Sequence, residues 1–292
     1  MITLQQMKYF RELAKLQHLT RTAERLHVTQ TTLSNTIINM EKQLGVRLFD
    51  RVGRNLQLNE VGKEYYRYIN EAMICLENAQ RVAEDHRQQK EQAVSVGITS
   101  SILWSNLIGG FQSRYRSYTL RQIECERHQF RSMLMDQEID LLIAGLDDLS
   151  LSGLEYRVLQ EAHLYLCVSR DHPLAQRSAI TLKEISQVDL INLPETSGFR
   201  AFCDELFRKH GIEYHAVLEC DYTLRGKLVE AGFGAAITTE ISRGQNMLGS
   251  SNVYIPISDK TARRPVGIIW NPRRYLSRAA VDFREYVLQM EL

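Results

Sequence analysis

Residues 29–44 place hydrogen-bonding groups on one face of a predicted helix and apolar groups on another. Leu33, Ile37, Met40 and Leu44 recur at helical spacing, which predicts one buried stripe. Hydroxyl and amide side chains lie away from that stripe, at Gln30, Thr31, Thr32, Asn35 and Asn39. Side chains of these types can form hydrogen bonds with base edges in the major groove of DNA. The pattern therefore predicts a helix that is held to a protein body on one side and can read bases on the other.

Another helix must come before this one in the chain to hold it in place. Thr20 is a candidate cap for that first helix, and Ala23, Leu26 and the turn residue Val28 supply its inward face. Thr29 is placed to cap the second helix, because its hydroxyl can accept from the free amide of Thr31 or Thr32. The two helices predict a helix-turn-helix. The alternative is an ordinary amphipathic helical pair with a polar solvent face.

The segment after this helix is typical of a wing. Gly45 is a natural helix stop, and apolar residues then alternate with polar ones on either side of a turn at Gly53. Arg47, Arg51 and Arg54 cluster in this short hairpin. Guanidinium groups on a projecting hairpin suit phosphates or a narrow minor groove. Three arginines attached to a helix-turn-helix indicate a winged DNA-binding module.

These residues together resemble the N-terminal signature of LysR-type transcriptional regulators. The matching segments include Ala23-Glu-Arg-Leu-His-Val-Thr-Gln30, Leu33-Ser34, Leu44-Gly-Val-Arg-Leu-Phe-Asp-Arg51, Gly53-Arg54 and Gly62. The sequence departs from the family where Asn35, Ile38 and Asn39 stand, because members often place Arg or Lys there. Our candidate DNA-binding residues are Thr29, Gln30, Thr31, Thr32, Ser34, Asn35, Asn39, Arg51 and Arg54.

The resemblance implies a sequence-specific regulator that binds double-stranded promoter DNA and responds to a small-molecule effector. It implies a C-terminal domain with a fold like that of periplasmic solute-binding proteins, built from two lobes. It also implies a homodimer, expected to assemble into a homotetramer, and contact with RNA polymerase. Effector binding between the lobes would change the spacing of the DNA-binding heads.

Residues 59–90 predict a long linker helix. Asn59 can cap it, and an apolar stripe runs from Val61 through Ile69 and Leu76 to Ala83. A helix of roughly 29 residues spans about 43 Å. One apolar seam on such a helix would be buried by the same helix of a second subunit. The alternative is a helix that packs on its own body.

Residues 91–292 alternate between predicted strands and helices, which argues for α/β units on largely parallel sheets. We expect a DNA-binding domain at 1–58, the linker at 59–90 and an effector-binding domain at 91–292. Within the last, lobe I covers about 91–163 and 266–292, and lobe II about 164–265. The family's usual proline is missing near Thr238 and Thr239.

Three places supply small hydroxyls where a strand gives way to a helix, a common setting for anion binding. The candidate effector-binding residues there are Thr99, Ser100, Ser101, Thr196, Ser197, Tyr222 and Thr223. Each could equally be a routine helix cap. Taken together, they predict a cleft for a small anionic metabolite. Arg127, His128 and Arg200 could add charge or be solvated surface.

Composition excludes several function classes. Residues 1–60 carry nine Lys or Arg against five Asp or Glu, although the whole chain is only +1. A basic head on a mildly acidic body suits a DNA-contacting domain joined to another kind of domain. The histidines are dispersed, and the sequence lacks a nucleophile-elbow or phosphate-loop pattern, so we expect no enzyme, no cofactor and no metal site.

The five cysteines are scattered without a Cys-x-x-Cys pair, which argues for a reducing cytoplasm rather than a disulfide framework. No apolar stretch reaches the length of a membrane span, and the N-terminus lacks a signal-peptide pattern. These features count against the first rival, a secreted solute-binding protein. An enzyme is the second rival, and the third is a redox sensor that uses Cys203, with Cys220 as its nearest companion; a buried inert Cys203 is the simpler interpretation.

Overall fold

The chain forms two compact units in the computed structural model, which describes residues 1–52, 55–87, 93–98, 104–124, 126–148 and 150–290. The first unit contains Met1–Arg87 together with Arg273–Tyr275. The second contains Gln88–Pro272 and Leu276–Leu292. The first unit has an apolar core of its own, and the second contains separate apolar clusters.

The first unit consists of four helices and one hairpin. Its elements in chain order are α1 (Leu4–Leu16), α2 (Leu19–Arg25), α3 (Gln30–Leu44), β1 (Phe49–Val52), β2 (Asn55–Leu58) and α4 (Glu60–Arg87). Phe10 of α1 packs at the centre, with its ring edge-on to Phe49 at 5.5 Å and to Tyr65 at 5.3 Å between centroids. The buried stripe of α3 faces this centre through Leu33, Ile37 and Met40.

Local capping starts and stops these helices, and one predicted cap is wrong. Thr29 caps α3 as predicted, since the Thr32 amide donates to its hydroxyl over 3.1 Å. Gly45 ends α3 in the left-handed region at φ 74°. For α2 the cap is His18 rather than Thr20, because the Arg21 amide donates to the His18 ring and the helix begins at Leu19, two residues before the start that a Thr20 cap would give.

The wing is anchored at both ends by side chains. Glu41 of α3 accepts the backbone N–H groups of Leu48, at 2.7 Å, and of Phe49, at 3.2 Å. On the other side, Asn59 accepts the Gly62 amide over 2.8 Å and donates to the Arg47 carbonyl over 3.1 Å. The hairpin is therefore fixed to the start of α4 and to the helix that precedes it.

Helix α4 divides its apolar residues between two environments. Ile69 is buried in the core of the first unit, together with Met73. Val61 and Leu76, from the same predicted seam, are 50% and 45% exposed. Part of the predicted stripe is thus buried by packing within the first unit, and the rest of it is exposed to solvent.

The segment Arg273–Tyr275 joins the first unit through charged contacts with α4. Glu77 accepts from Arg11 at 2.7 Å and from Arg274 at 2.5 Å. Burial by itself raises the pKa of Glu77, but the hydrogen bonds and charges of the two guanidinium groups lower it below its usual value. A carboxylate between two arginines thus connects α1, α4 and residues 273–275.

The second unit is a mixed α/β domain. Its strands are β3 (Ala93–Ile98), β4 (Thr119–Glu124), β5 (Leu141–Gly145), β6 (Glu155–Val168), β7 (Leu190–Asn192), β8 (Ala216–Glu219), β9 (Ala236–Thr239), β10 (Val253–Pro256) and β11 (Arg263–Trp270). Its helices are α5 (Ser105–Arg114), α6 (Phe130–Met135), α7 (Leu182–Ile185), α8 (Gly198–Lys209), α9 (Tyr222–Glu230), α10 (Glu240–Gly244) and α11 (Arg278–Leu288).

The prediction of largely parallel sheets is wrong for the main sheet. Its strand order is β10-β6-β11-β5-β3-β4, with β9 also paired to β6. Among the described strands of this sheet, the parallel pairs are those of β3 with β4 and β5, whereas β11, β9 and β10 run antiparallel to their neighbours. The reason is the path of β11, which returns between β5 and β6 against both of them.

Strand β6 joins two apolar cores. Its residues up to His163 pair with β11, and from Leu164 onward they pair with β9 and β10. One core lies around β3, β5 and α11, and the other around α8, β7 and the second half of β6. The predicted domain and lobe boundaries stay predictions, but the pairing of β6 changes at one point along this strand.

Candidate functional site

The outer face of α3 carries the side chains that were predicted from the sequence to contact DNA bases. Gln30, Thr31, Thr32, Asn35 and Asn39 are all exposed, and Ser34 is half-buried. The Thr29 hydroxyl lies 2.8 Å from the Thr32 hydroxyl. Polar groups thus point outward along the first two and a half turns, where a recognition helix contacts bases.

The basic residues of the wing are placed only in part. Arg47 is exposed beside the start of the hairpin. Arg54 and the side chain of Arg51 lie outside the described residues. Their roles as phosphate ligands stay predictions.

A cavity of about 460 Å³ lies inside the second unit. Trp104 and Val266 belong to the core around β3, β5 and α11, Ala144 comes from β5, and Leu193 and Phe199 belong to the core around α8 and β7. A concave site of this size, with mixed apolar and polar walls, suits a small metabolite.

Three of the predicted effector residues line this cavity, namely Thr196, Ser197 and Tyr222. Ser197 precedes α8, but its hydroxyl makes no capping hydrogen bond with that helix. The routine-cap interpretation is therefore wrong for Ser197. Among the described residues, the first amides of α8 receive no side-chain cap from it, so the positive end of the helix dipole remains available.

The remaining predicted effector residues do not all meet at the cavity. Thr223 is exposed and does not line it, because α9 turns that side chain outward while Asp221 caps the helix by accepting the Thr223 and Leu224 amides. Thr99, Ser100 and Ser101 lie outside the described residues. Their proposed role stays a prediction.

Arg225 is the functional candidate that sequence reasoning missed. Its side chain lines the cavity, yet the residue is only 2% exposed. Among the residues that the structure describes, its Nε and Nη2 have no hydrogen-bond partner. Burial lowers the pKa of Arg225, because the charged form is separated from water. The signal was helical spacing: Tyr222, Arg225, Gly226 and Val229 share the inward face of α9.

Three further polar groups line the same cavity. Trp104 Nε1 and the hydroxyls of Thr238 and Ser242 are buried and have no partner among the described residues. Buried polar groups normally pair, so an unpaired set facing one cavity indicates groups that a ligand or water satisfies. Thr238 stands where the family's usual proline is absent, which was the sequence signal for this position.

The other arginines near the cavity have partners. Arg264 lines it, but its Nε is 3.0 Å from Asp147, and the guanidinium lies against Gly145, where a Cβ would collide with it. Arg200 is neither cavity-lining nor solvated, since it pairs with Asp204 at 2.8 Å and Glu219 at 2.9 Å. Arg127 lines the cavity and has contacts of its own, whereas His128 is exposed beside Glu126.

The buried cysteines lack the character of redox sensors. Burial raises the pKa of Cys203 to about 12. It also raises the pKa of Cys167 to about 12. Reactive cysteines need a thiolate, so these two thiols are inert at neutral pH. The simpler interpretation of Cys203, a buried inert residue, is the one that its environment supports.

Family models match both parts of the chain. The one described as "Bacterial regulatory helix-turn-helix protein, lysR family" matches residues 4–63. The one described as "LysR substrate binding domain" matches residues 87–291. The chain belongs to the LysR family of DNA-binding transcriptional regulators. The winged helix-turn-helix and the effector-binding α/β domain predicted from the sequence are thereby confirmed.

Relatives agree along the whole length. The chain is 31% identical over 289 residues to an uncharacterized HTH-type transcriptional regulator, YybE, of Bacillus subtilis, covering 97% of each chain. It is 29% identical to the transcriptional dual regulator GltC of Bacillus subtilis, covering 98% of this chain and 96% of that one. These relatives regulate transcription, so this LysR-family protein is a regulator and not an enzyme.

Solved structures share the fold. A full-length OxyR variant from Pseudomonas aeruginosa aligns with a TM-score of 0.67 at 24% identity, covering 99% of this chain and 95% of that one. The LysR-family regulator CbnR, in a complex with its target DNA, aligns with a TM-score of 0.56 at 22% identity, covering 98% of each chain. No helix among the described residues is long and apolar enough to cross a membrane.

Proposed function

We propose that this LysR-family regulator recognises promoter DNA through α3 and the wing, and that a small metabolite with an anionic group controls it. The metabolite occupies the cavity of the second unit. The observation that carries the proposal is Arg225, a buried residue that lines the cavity and whose Nε and Nη2 have no hydrogen-bond partner among the described residues; its guanidinium lies 5.3 Å from the centroid of the Tyr222 ring.

Electrostatics supports an anionic group on the effector. A buried charge is costly unless an opposite charge or hydrogen bonds compensate it. The N-terminus of α8 adds a positive dipole end at the same cavity, beside Thr196 and Ser197. A carboxylate or similar group would satisfy both features.

The DNA-binding half of the proposal rests on the exposed polar face of α3. CbnR is a family member of the same fold in a complex with its target DNA, and we assign the same kind of partner to this chain. Recognition of two half-sites requires two copies. The open residues Val61 and Leu76 of α4 support a homodimer through this helix. We further propose a homotetramer that acts on promoters in the cytoplasm and contacts RNA polymerase.

Substitutions on α3 and the wing test the DNA contacts. Asn35→Ala should change base preference, because a group that contacts base edges specifies sequence. Arg51→Ala should weaken binding to many sequences alike. It should also reduce the slope of the logarithm of the DNA-binding constant against the logarithm of the salt concentration by about 1, as loss of a phosphate contact does. Binding selections and salt titrations measure the two effects. Equal losses on all sequences for both variants would contradict these separate roles.

Substitution in the cavity tests the effector half. Thr196→Val should weaken the response of DNA binding to the effector, because the cavity loses a hydroxyl. Thr223→Val is the matched control, because Thr223 lies outside the cavity wall. An unchanged response in Thr196→Val, measured by anisotropy with labelled promoter DNA, would contradict the assignment.

A further inference from the structure

The cavity that holds Arg225 also contains an acidic group without a partner. Glu124, the last residue of β4, lines the cavity as an exposed residue, and its side chain makes no hydrogen bond or ion pair with any residue that the structure describes. Arg225 lines the same space with its Nε and Nη2 unpaired among those residues. The wall of one cavity therefore carries a buried guanidinium with two unpaired nitrogens and an exposed carboxylate.

The other charges around the cavity are already in use. Arg264 is paired with Asp147 at 3.0 Å, and Asp221 accepts two backbone amides at the start of α9. Glu126 lies 3.3 Å from the ring of His128. The described lining residues include three acidic and three basic side chains, so the wall is balanced in charge.

This balance limits the class of ligand. A simple anion would satisfy Arg225 but would leave Glu124 facing additional negative charge. A dianion would increase that repulsion, because like charges disfavour each other. A cation alone would leave the buried guanidinium uncompensated. A ligand with both charges satisfies both side chains.

Building on the proposed function, we infer that the effector is a zwitterion of the amino-acid class. Its carboxylate pairs with Arg225, and its cationic nitrogen pairs with Glu124. Trp104 Nε1 and the Thr238 and Ser242 hydroxyls, which are also unpaired among the described residues, supply hydrogen bonds around the carboxylate end. A guanidinium donates two parallel hydrogen bonds to a planar carboxylate, which makes Arg the suited anchor.

A panel of matched small molecules tests the ligand class on the full-length protein. The probes are the proteinogenic L-amino acids, 4-aminobutanoate, 5-aminopentanoate and glycine betaine. Each zwitterion is tested beside two matched compounds, namely the same acid without the nitrogen and the same amine without the carboxylate. Succinate and inorganic phosphate complete the set. At least one zwitterion should raise the unfolding temperature and bind by calorimetry, and its two matched compounds should bind at least about tenfold more weakly.

Variants then assign the two charges. Arg225→Met and Glu124→Gln should each weaken binding of the zwitterion by about 10- to 100-fold, the range for a lost charged hydrogen bond. Glu124→Gln should improve binding of the nitrogen-free acid relative to the zwitterion. Arg121→Met and Glu155→Gln are matched controls on exposed strand positions outside the described cavity wall, and they should bind like the wild type.

Three results would overturn the inference: no zwitterion of the panel binds, the nitrogen-free acid binds as tightly as the zwitterion, or Glu124→Gln binds the zwitterion unchanged. The proposed function fails differently. A protein that binds promoter DNA and responds to a plain acid refutes only the zwitterion. A protein that binds no DNA, or whose DNA binding responds to no small molecule, refutes the proposed function itself.

Discussion

At the scale of single residues, unpaired polar atoms mark the cavity of the second unit better than residue types do. Sequence reasoning located Thr196, Ser197 and Tyr222, because hydroxyls before a helix are visible in the order of residues. It missed Arg225, since whether an arginine is buried depends on which strands and helices cover it. It also chose Thr223, whose side chain turns outward in α9.

Replacement of Arg225 separates stability from ligand response. Arg225→Met fills a similar volume without a charge, so the ligand-free protein should become more stable by about 1 to 4 kcal/mol, as when buried ions give way to apolar groups. Urea unfolding of wild type and variant measures this gain. Loss of stability in Arg225→Met would show that the guanidinium has compensation in the ligand-free state.

The cysteines should differ in reactivity as their environments do. Cys75 is exposed, whereas burial raises the pKa values of Cys167 and Cys203 to about 12. Under native conditions at neutral pH, a thiol reagent should modify Cys75 and leave the other two intact, with mass spectrometry as the readout. Mild peroxide should leave DNA binding unchanged. Rapid modification of native Cys203 would restore the redox-sensor hypothesis.

At the scale of elements, local sequence signals predicted where helices begin and end, but they did not predict the direction of the strands. The Thr29 cap, the Gly45 stop and the Asn59 cap could all be predicted, because each depends on neighbours within a few residues. The direction of β11 could not, since it depends on pairing with the distant strands β5 and β6. Which residues of the apolar stripe of α4 are buried in the first unit and which are exposed to solvent could not be predicted either, since this also depends on distant parts of the chain.

Gly62 should be indispensable where α4 begins. A Cβ there would collide with the backbone carbonyl of Leu48, which is held by the wing. Gly62→Ala should destabilise the protein by about 1 to 3 kcal/mol, the usual cost of overpacking. Gly109→Ala is the matched control, because nothing lies within 4 Å of a Cβ in that part of α5.

Denaturant unfolding should give opposite signs for these two variants. Gly109→Ala should gain up to about 1 kcal/mol from helix propensity. A neutral or stabilising Gly62→Ala would contradict the close packing between the wing and α4.

At the scale of the whole molecule, a charge cluster connects distant parts of the chain. Glu77 joins Arg11 near the N-terminus to Arg274 near the C-terminus. No local pattern predicts such a contact, because its members are separated by most of the sequence. The family resemblance supplied the overall organisation, and only folding shows which side chains meet.

The Glu77 cluster should make stability depend on acidity. Since the two guanidinium groups hold the pKa of Glu77 below the ordinary value of a glutamate carboxyl, the stabilisation is present above that ordinary value and is lost as pH falls through the lowered pKa. Glu77→Gln should lose about 1 kcal/mol at pH 7, a value reduced by solvent screening, and little at strongly acid pH. Glu71→Gln is the control, since its pair with Arg273 is largely exposed.

Urea unfolding across the acid range measures the difference between the two variants. A loss for Glu77→Gln that stays constant from neutral to strongly acid pH would contradict the ion cluster.

The most direct test of regulation by a cavity ligand combines both units in one measurement. Full-length protein is mixed with fragmented genomic DNA at low ionic strength, with and without the matched panel of small molecules, and the retained fragments are sequenced. We predict enrichment of a near-palindromic site with two half-sites. We also predict that one ligand of the panel changes the retention of this site by the wild-type protein but not by the Arg225→Met variant. Retention of all fragments alike under every condition would contradict the account.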